Sequence, residues 1–145
     1  MLARGNRIDY DWDAAGNLLE RRHRTTNTAT NDSSDIVHVM TYADNFLATY
    51  TDPLGNATEY TRNAAGDVTQ VDFEGVTVPS SQTASRTYTY SGTTGQLTSA
   101  TDEEGKVTNY SYYSSGDDIY LLEKVEVDPS GLDLETTFSY DGYWN

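Results

Sequence analysis

Thr51-Asp52-Pro53-Leu54-Gly55-Asn56-Ala57-Thr58-Glu59-Tyr60-Thr61-Arg62-Asn63-Ala64-Ala65-Gly66 decides the fold of this chain. It holds two turns separated by one strand. In Asp52-Pro53-Leu54-Gly55 the Asp can cap backbone amides, Pro suits the next position, and Gly accepts a positive φ. Asn63-Ala64-Ala65-Gly66 is the same turn with Asn for Asp. Between them Thr58, Tyr60 and Arg62 alternate with Glu59 and Thr61, the period of two that marks a strand.

The pattern spreads outward at an offset of fifty residues. Gly55, Tyr60 and Gly66 are preceded by Gly5, Tyr10 and Gly16 and followed by Gly105, Tyr110 and Gly116. Asp52 is matched by Asp102, Thr58 by Thr108, Leu47 by Leu97 and Val68 by Leu18. A fourth copy opens at Asp128-Pro129-Ser130-Gly131, with Phe138 in the place of the repeated Tyr after a short insertion. Further Asp-x-x-Gly turns are expected at Asp13–Gly16, Asp72–Gly75 and Asp102–Gly105. In Ile8-Asp9-Tyr10-Asp11-Trp12-Asp13 the alternation places Ile8, Tyr10 and Trp12 on one face and the three Asp on the other. No window carries a helical period. The reading is an all-β chain, an antiparallel ribbon of repeated β-hairpins with four strands in each fifty-residue unit. Its organisation is a partial unit at 1–24, units at 36–73 and 86–127, a partial unit at 128–145, and long polar loops at 25–35 and 74–85. No domain boundary is evident, and both ends read as cut from a longer array.

Composition narrows the function classes. The 145 residues carry 23 acidic and 9 basic side chains, a net charge of −14. Leu, Val, Ile and Phe together number 25, too few for a conventional aliphatic core. The 12 Tyr and 2 Trp argue against a solvated, disordered tail and, with the abundant Thr, favour a pleated half-buried sheet. So acidic a surface opposes nucleic-acid binding, which needs clustered Lys and Arg. No apolar run has the length of a membrane-spanning helix, and the first residues hold no signal-peptide core. With no Cys, the fold is built without disulfides or thiolate metal sites.

The segments Tyr10-Asp11-Trp12-Asp13-Ala14-Ala15-Gly16-Asn17-Leu18 and Thr51–Thr61 with Gly66 and Val68 resemble the YD repeat. This is the repeat of bacterial Rhs proteins, of the C component of insecticidal toxin complexes, of wall-associated proteins and of teneurins. Tyr42-Ala43 and Tyr90-Ser91 depart from it by lacking the Asp after Tyr. The resemblance implies a ribbon that spirals into a curved sheet and a hollow shell, secreted or at the cell surface. Within such a shell a C-terminal toxic polypeptide is enclosed; in other members the repeats serve adhesion. The partners so implied are neighbouring repeats, an enclosed toxin and, for an adhesin, carbohydrate or protein. Asp128-Pro129-Ser130-Gly131-Leu132 resembles the first part of the segment at which Rhs cores release their toxin by autoproteolysis, but Asp133-Leu134-Glu135 continues it no further. The repeat register accounts for it as an ordinary turn.

Candidate chemistry is sparse. Asp9, Asp11, Asp13 and Glu20 have the spacing of a calcium loop, but Ala14 stands where its Gly is needed and no flanking helices are expected. A solvated strand face is the better reading. His23 and His38, the only histidines, recur in no other unit, so catalysis and cofactor use are not expected. The aromatic stripe of Tyr10, Tyr60, Tyr110 and Phe138 reads as internal packing of the repeat, with sugar stacking as the alternative. The residues singled out are therefore structural: Gly5, Tyr10, Gly16, Asp52, Gly55, Tyr60, Gly66, Asp102, Gly105, Tyr110, Gly116, Asp128, Gly131 and Phe138.

Overall fold

Alternating Thr, Tyr and charged residues between Asp-x-x-Gly turns leave the backbone few options other than hairpins, and hairpins are what form. A computed structural model describes residues 7–26, 30–77 and 83–141. Its first compact unit is Met1–Thr77 and its second Val78–Asn145. The first holds β1 (Arg7–Trp12), β2 (Leu18–Arg24), β3 (Ile36–Ala43), β4 (Phe46–Thr51), β5 (Ala57–Arg62) and β6 (Val68–Thr77). The second holds β7 (Thr83–Tyr90), β8 (Leu97–Thr101), β9 (Val107–Tyr112), β10 (Leu122–Val127) and β11 (Leu134–Thr137). Within each unit every strand pairs antiparallel with its neighbours in sequence, giving an all-β meander. There is no helix among the described residues.

The turn chemistry is the one the sequence calls for. Asp52 Oδ1 accepts the amides of Leu54 (2.8 Å) and Asn56 (2.9 Å), while Gly55 donates to the Asp52 carbonyl at 3.0 Å. Asp13, Asn63 and Asp102 repeat the arrangement with Gly16, Gly66 and Gly105. All four glycines have φ between 81° and 93°. The residue after each Gly closes the turn, since the amide of the first residue donates to its carbonyl. Asn17 and Asn56 also return a side-chain amide to the Asp at 2.8 Å. At Asn63 and Asp67 the two partners are exchanged, with Asn63 Nδ2 donating to Asp67.

Several expectations are corrected. Asp72–Gly75 is no turn: it lies inside β6, with the Asp72 carboxylate taken by Gln70 Nε2 at 2.8 Å instead of capping amides. Gly75 keeps its positive φ of 78° within the strand, a backbone conformation that glycine adopts without a Cβ penalty. The second loop expected at 74–85 is consequently strand at both ends, and what remains of it, 78–82, lies outside the described residues. Gly116 has a φ of 85° but sits in a wide connection over 113–121, closed by Tyr113 N–H to Leu121 O and Tyr120 N–H to Tyr113 O. The turn at Asp128 is longer than its relatives by one residue, and the left-handed positions are Asp128 (φ 51°) and Asp133 (φ 50°) rather than Gly131. Gly131 is required for space instead, because a Cβ there would overlap the Asp128 carboxylate. Gly5 lies outside the described residues.

Register shifts fall between Asp11 and Trp12, Thr41 and Tyr42, Thr61 and Arg62, and Thr89 and Tyr90. A fifth separates Leu122 and Lys124. Each sits beside the connection of an odd-numbered strand to the next, so the bulges collect at one end of the strands, where they bend the strand and raise its twist. Asp13 lies just past the end of β1 and serves as the turn cap, so only Asp9 and Asp11 share the polar face.

No second layer covers either face among the described residues. The buried apolar side chains there are Met40 and Ala84, and the buried polar ones Arg24 and Asp128. Most strand residues are half-buried on both faces, so stability rests on cross-strand pairs, each worth about 0.2–1 kcal/mol.

Candidate functional site

Strand register sorts the side chains onto two unlike faces. Tyr10 is opposite Arg21, Arg21 opposite His38, Met40 opposite Tyr50, and Tyr60 opposite Val71. These residues share one face of the first unit. In the second unit Tyr88 opposes Ala100 and Tyr110 opposes Val125 on the corresponding face. His38 Nδ1 and the Tyr50 hydroxyl share a hydrogen bond of 2.6 Å, with the rings stacked at 5.9 Å. The opposite faces carry Asp9, Glu20, Arg22, Thr41 and Thr49, and in the second unit Thr87, Thr101, Ser99 and Asn109. The aromatic stripe therefore falls on one face of each unit. Tyr60 and Tyr110 are half-buried, whereas Tyr10 is 52% exposed. Phe138 follows β11 and extends its pairing by donating its amide to Glu123 O at 2.8 Å.

An ionic cluster at the 25–35 loop carries no signal that composition alone reveals. The Asp35 side chain is wholly buried and receives the amides of Thr25 (3.0 Å) and Asp32 (3.1 Å). Arg22 lies 3.5 Å and Arg24 3.3 Å from its carboxylate. Arg24, itself buried, also donates to Asp9 at 2.6 Å, Asn31 at 2.9 Å and the Thr30 carbonyl at 3.0 Å. The Thr25 amide, then the Asp32 amide and the positive field of Arg24, hold the Asp35 carboxyl below the usual carboxylate range. Bonds from Arg24 and Arg7 do the same for Asp9. This loop is polar as expected, but it is pinned at its base. The available signal was the basic run Arg21-Arg22-His23-Arg24 facing an Asp-rich stretch.

The second such pin is Asp128. It is buried, accepts from Lys106 Nζ at 2.9 Å and from the Leu132 amide at 3.2 Å, and donates its own amide to Val107 O. Lys106 lowers the Asp128 pKa, and Asp128 raises that of Lys106. Asp128 is thus a turn residue and an inter-strand anchor at once.

The calcium-loop candidates are dispersed. Asp9 is committed to Arg7 and Arg24, Asp13 to its turn, and Asp11 stands opposite Glu20. Among the described residues no cluster of His, Asp and Glu is arranged to hold a metal ion. His23 lies between Ile8 and Ile36, two residues out of register with His38, which stands opposite Arg21. A cleft of about 340 Å³ lies in the first unit between Phe46, Leu47, Tyr60, Arg62 and Gly66. There the Arg62 guanidinium lies 5.0 Å from the Phe46 ring centroid and donates to Gly66 O at 2.9 Å. The cleft is the place where β4 overlaps the β5–β6 turn, and it brings no acid, base and nucleophile together.

This architecture defines a class: a repeat protein built as a single-layered antiparallel β-ribbon, with turn caps and aromatic pairs in place of a central core. Solved structures place it further. The chain superposes on the TcdB2-TccC3 structure with a TM-score of 0.66 at 19% identity, covering 90% of this chain and 7% of that one. TcdB2-TccC3 without its hypervariable C-terminal region matches with the same TM-score at 18% identity. The Photorhabdus luminescens Tc holotoxin pore matches at 0.62 and 18%, covering 88% of this chain and 6% of that one. The chain therefore has the fold of a short stretch of these toxin-complex chains, as the YD-repeat resemblance implies, and spans only about 7% of their length. No protein-family model matches it, and neither does any curated protein.

Proposed function

We propose that the chain is a wall segment of a large secreted or surface-displayed YD-repeat (Rhs-like) protein, whose ribbon builds a β-shell around a C-terminal toxin or other cargo. The observation that supports this most directly is the absence of a second layer among the described residues, in a chain that superposes over 90% of its length on toxin-complex chains. A sheet half-buried on both faces suits a wall better than a self-sufficient domain. In this reading the role is mechanical: turn caps and ionic pins hold adjacent strands, and no reaction is performed by the chain itself. Its partners are neighbouring repeats and the enclosed polypeptide, and it needs no cofactor.

The test is electron cryo-microscopy of the protein encoded by the complete reading frame, together with protease digestion. A closed hollow shell with density inside, and an internal segment resistant to protease until the shell is opened, supports the proposal. A stalk with no lumen overturns it. A second reading, an adhesion module for carbohydrate, is favoured by the adjacent exposed rings of Tyr10 and Trp12, 6.4 Å apart. Specific glycan-array binding that is lost in both Tyr10→Ala and Trp12→Ala would select it.

A further inference from the structure

The place opposite the repeated tyrosine is filled by valine in two units and by arginine in one. Val71 stands opposite Tyr60 and Val125 opposite Tyr110, but Arg21 stands opposite Tyr10. Among the described arginines and lysines, Arg21 is also the one that makes no hydrogen bond or ion pair. Arg7 and Arg24 hold Asp9 at 2.6 Å, Arg22 holds Glu20 at 2.7 Å, and Arg86 holds Glu103 at 2.8 Å. Arg62 donates to Gly66 O, Lys106 to Asp128 and Lys124 to Glu126. In a chain of net charge −14, an arginine kept from every carboxylate is the exception.

Strand register is what keeps it so. Tyr10, Arg21 and His38 stand side by side on β1, β2 and β3. Asp9, Asp11, Glu20, Glu59 and Asp72 all fall on the opposite face of the first unit. Because β2 is paired along both sides, Arg21 lies within the sheet and not at its edge. Arg21 and His38 are half-buried, while Ile36, two residues before His38 and on the same face, is 44% exposed. His38 Nδ1 is engaged by the Tyr50 hydroxyl at 2.6 Å. In the tautomer where Tyr50 donates, Nε2 carries the ring hydrogen and is a second donor beside Arg21. Side chains opposed in this way have Cβ atoms about 4.5–5.5 Å apart, within reach of one carboxylate.

We propose that this face of the first unit, centred on Arg21, docks an extended polypeptide segment that carries an Asp or Glu between apolar residues. The guanidinium fork takes the carboxylate through two N–H donors, and His38 Nε2 adds a third. The Tyr10 ring and Ile36 cover the apolar residues on either side. Both neighbours of β2 are already paired, so recognition runs through side chains and not through added main-chain bonds. An acidic sugar would also satisfy Arg21, but its hydroxyls call for carboxylate or amide acceptors. This row offers donors beside an aliphatic side chain instead. A polyacidic segment is repelled by the net charge of −14, whereas a single carboxylate among apolar residues meets a face on which the register places none. The inference rests on the wall reading for a polypeptide partner, and deepens it by naming the face and the side chain that meet that partner.

The probe is the blocked peptide acetyl-Ser-Leu-Glu-Leu-Ser-amide, titrated into the whole chain and followed by nuclear magnetic resonance. The expected result is saturable shifts at the Arg21 Nε–H, the His38 ring and Ile36. The same peptide with Gln for Glu binds about tenfold more weakly, the size of one charge-assisted hydrogen bond. Arg21→Val weakens the Glu peptide by the same factor and does not lower Tm, since valine fills this place in the other units. No saturable shift, or binding indifferent to both changes, overturns the proposal. A fall in Tm on Arg21→Val also overturns it, because the arginine then serves the fold. So does glucuronate that binds more tightly than the peptide with the same dependence on Arg21, which makes the face a site for acidic sugars. The titration reads a face of this chain and the microscopy reads a lumen, so the failure of one proposal is told apart from the failure of the other.

Discussion

Gly55→Ala separates backbone geometry from packing in the repeated turns. Gly55 has a φ of 88°, and a Cβ built on it meets nothing within 4 Å, so the substitution removes no contact and creates no clash. What remains is the cost of placing an L-residue in the left-handed region, about 1–2 kcal/mol. For a chain of this size that corresponds to a fall in Tm of about 2–8 °C. Gly92 is the internal control: it lies in open space too, but its φ is not in the left-handed region. Ala there is neutral or stabilising by about 0.4–1 kcal/mol, because it restricts the unfolded chain. Gly55→Asn recovers part of the loss, since Asn tolerates positive φ better than Ala. Gly66→Ala costs more than Gly55→Ala, because its Cβ would sit 3.0 Å from the Phe46 ring, which has to move. The assay is urea and thermal unfolding followed by tyrosine fluorescence and circular dichroism. If Gly55→Ala and Gly92→Ala have equal effects, the turn does not require its left-handed glycine and the reasoning fails.

Asp35→Asn removes the charge that Arg22 and Arg24 share, and is expected to raise amide exchange and proteolysis at 25–35 while the β5–β6 hairpin keeps its protection. The carboxyls of Asp9, Asp13, Asp35, Asp52 and Asp128 are all held below their ordinary value, chiefly by hydrogen bonds. Groups depressed in this way stabilise the fold above their unfolded pKa, and the contribution is lost as pH falls through the folded value. Acid unfolding should therefore begin below about pH 4; a midpoint near neutrality would refute this. Lys106 and Lys124, raised by their carboxylate partners, lose their contribution only above about pH 10. With a net charge of −14, added sodium chloride should raise Tm by screening self-repulsion, and an unchanged or lower Tm would count against it. Met40→Ala, at the one large buried apolar side chain among the described residues, should cost about 2 kcal/mol by chemical denaturation. A loss well under 1 kcal/mol would mean that this site is not packed as described.

Turn chemistry and alternation were legible because both are local. Asp13, Asp52, Asn63 and Asp102 cap amides two and four residues ahead, and the Gly follows three residues behind, so one short window contains the whole interaction. The same window misled at Asp72, whose neighbour Gln70 and partner strand β5 outcompeted the turn, and at Gly116 and Gly131, where inserted residues changed the backbone path. Asn17 and Asn56, which complete the Asp13 and Asp52 turns, stand in the quoted segments, but their role is reciprocal and shows only once both side chains are placed.

The amino-acid sequence by itself determined the repeat, its fifty-residue offset, the all-β class and the position of four capped turns, because each depends on contacts within a few residues or on periodicity along one strand. Only the tertiary structure decided what crosses strands. It joined Asp35 to Arg22 and Arg24, paired Lys106 with Asp128, and put Phe46 over Arg62 and Gly66. These contacts depend on register and on the bulges that shift it, and a one-residue slip would send every side chain of a strand to the other face.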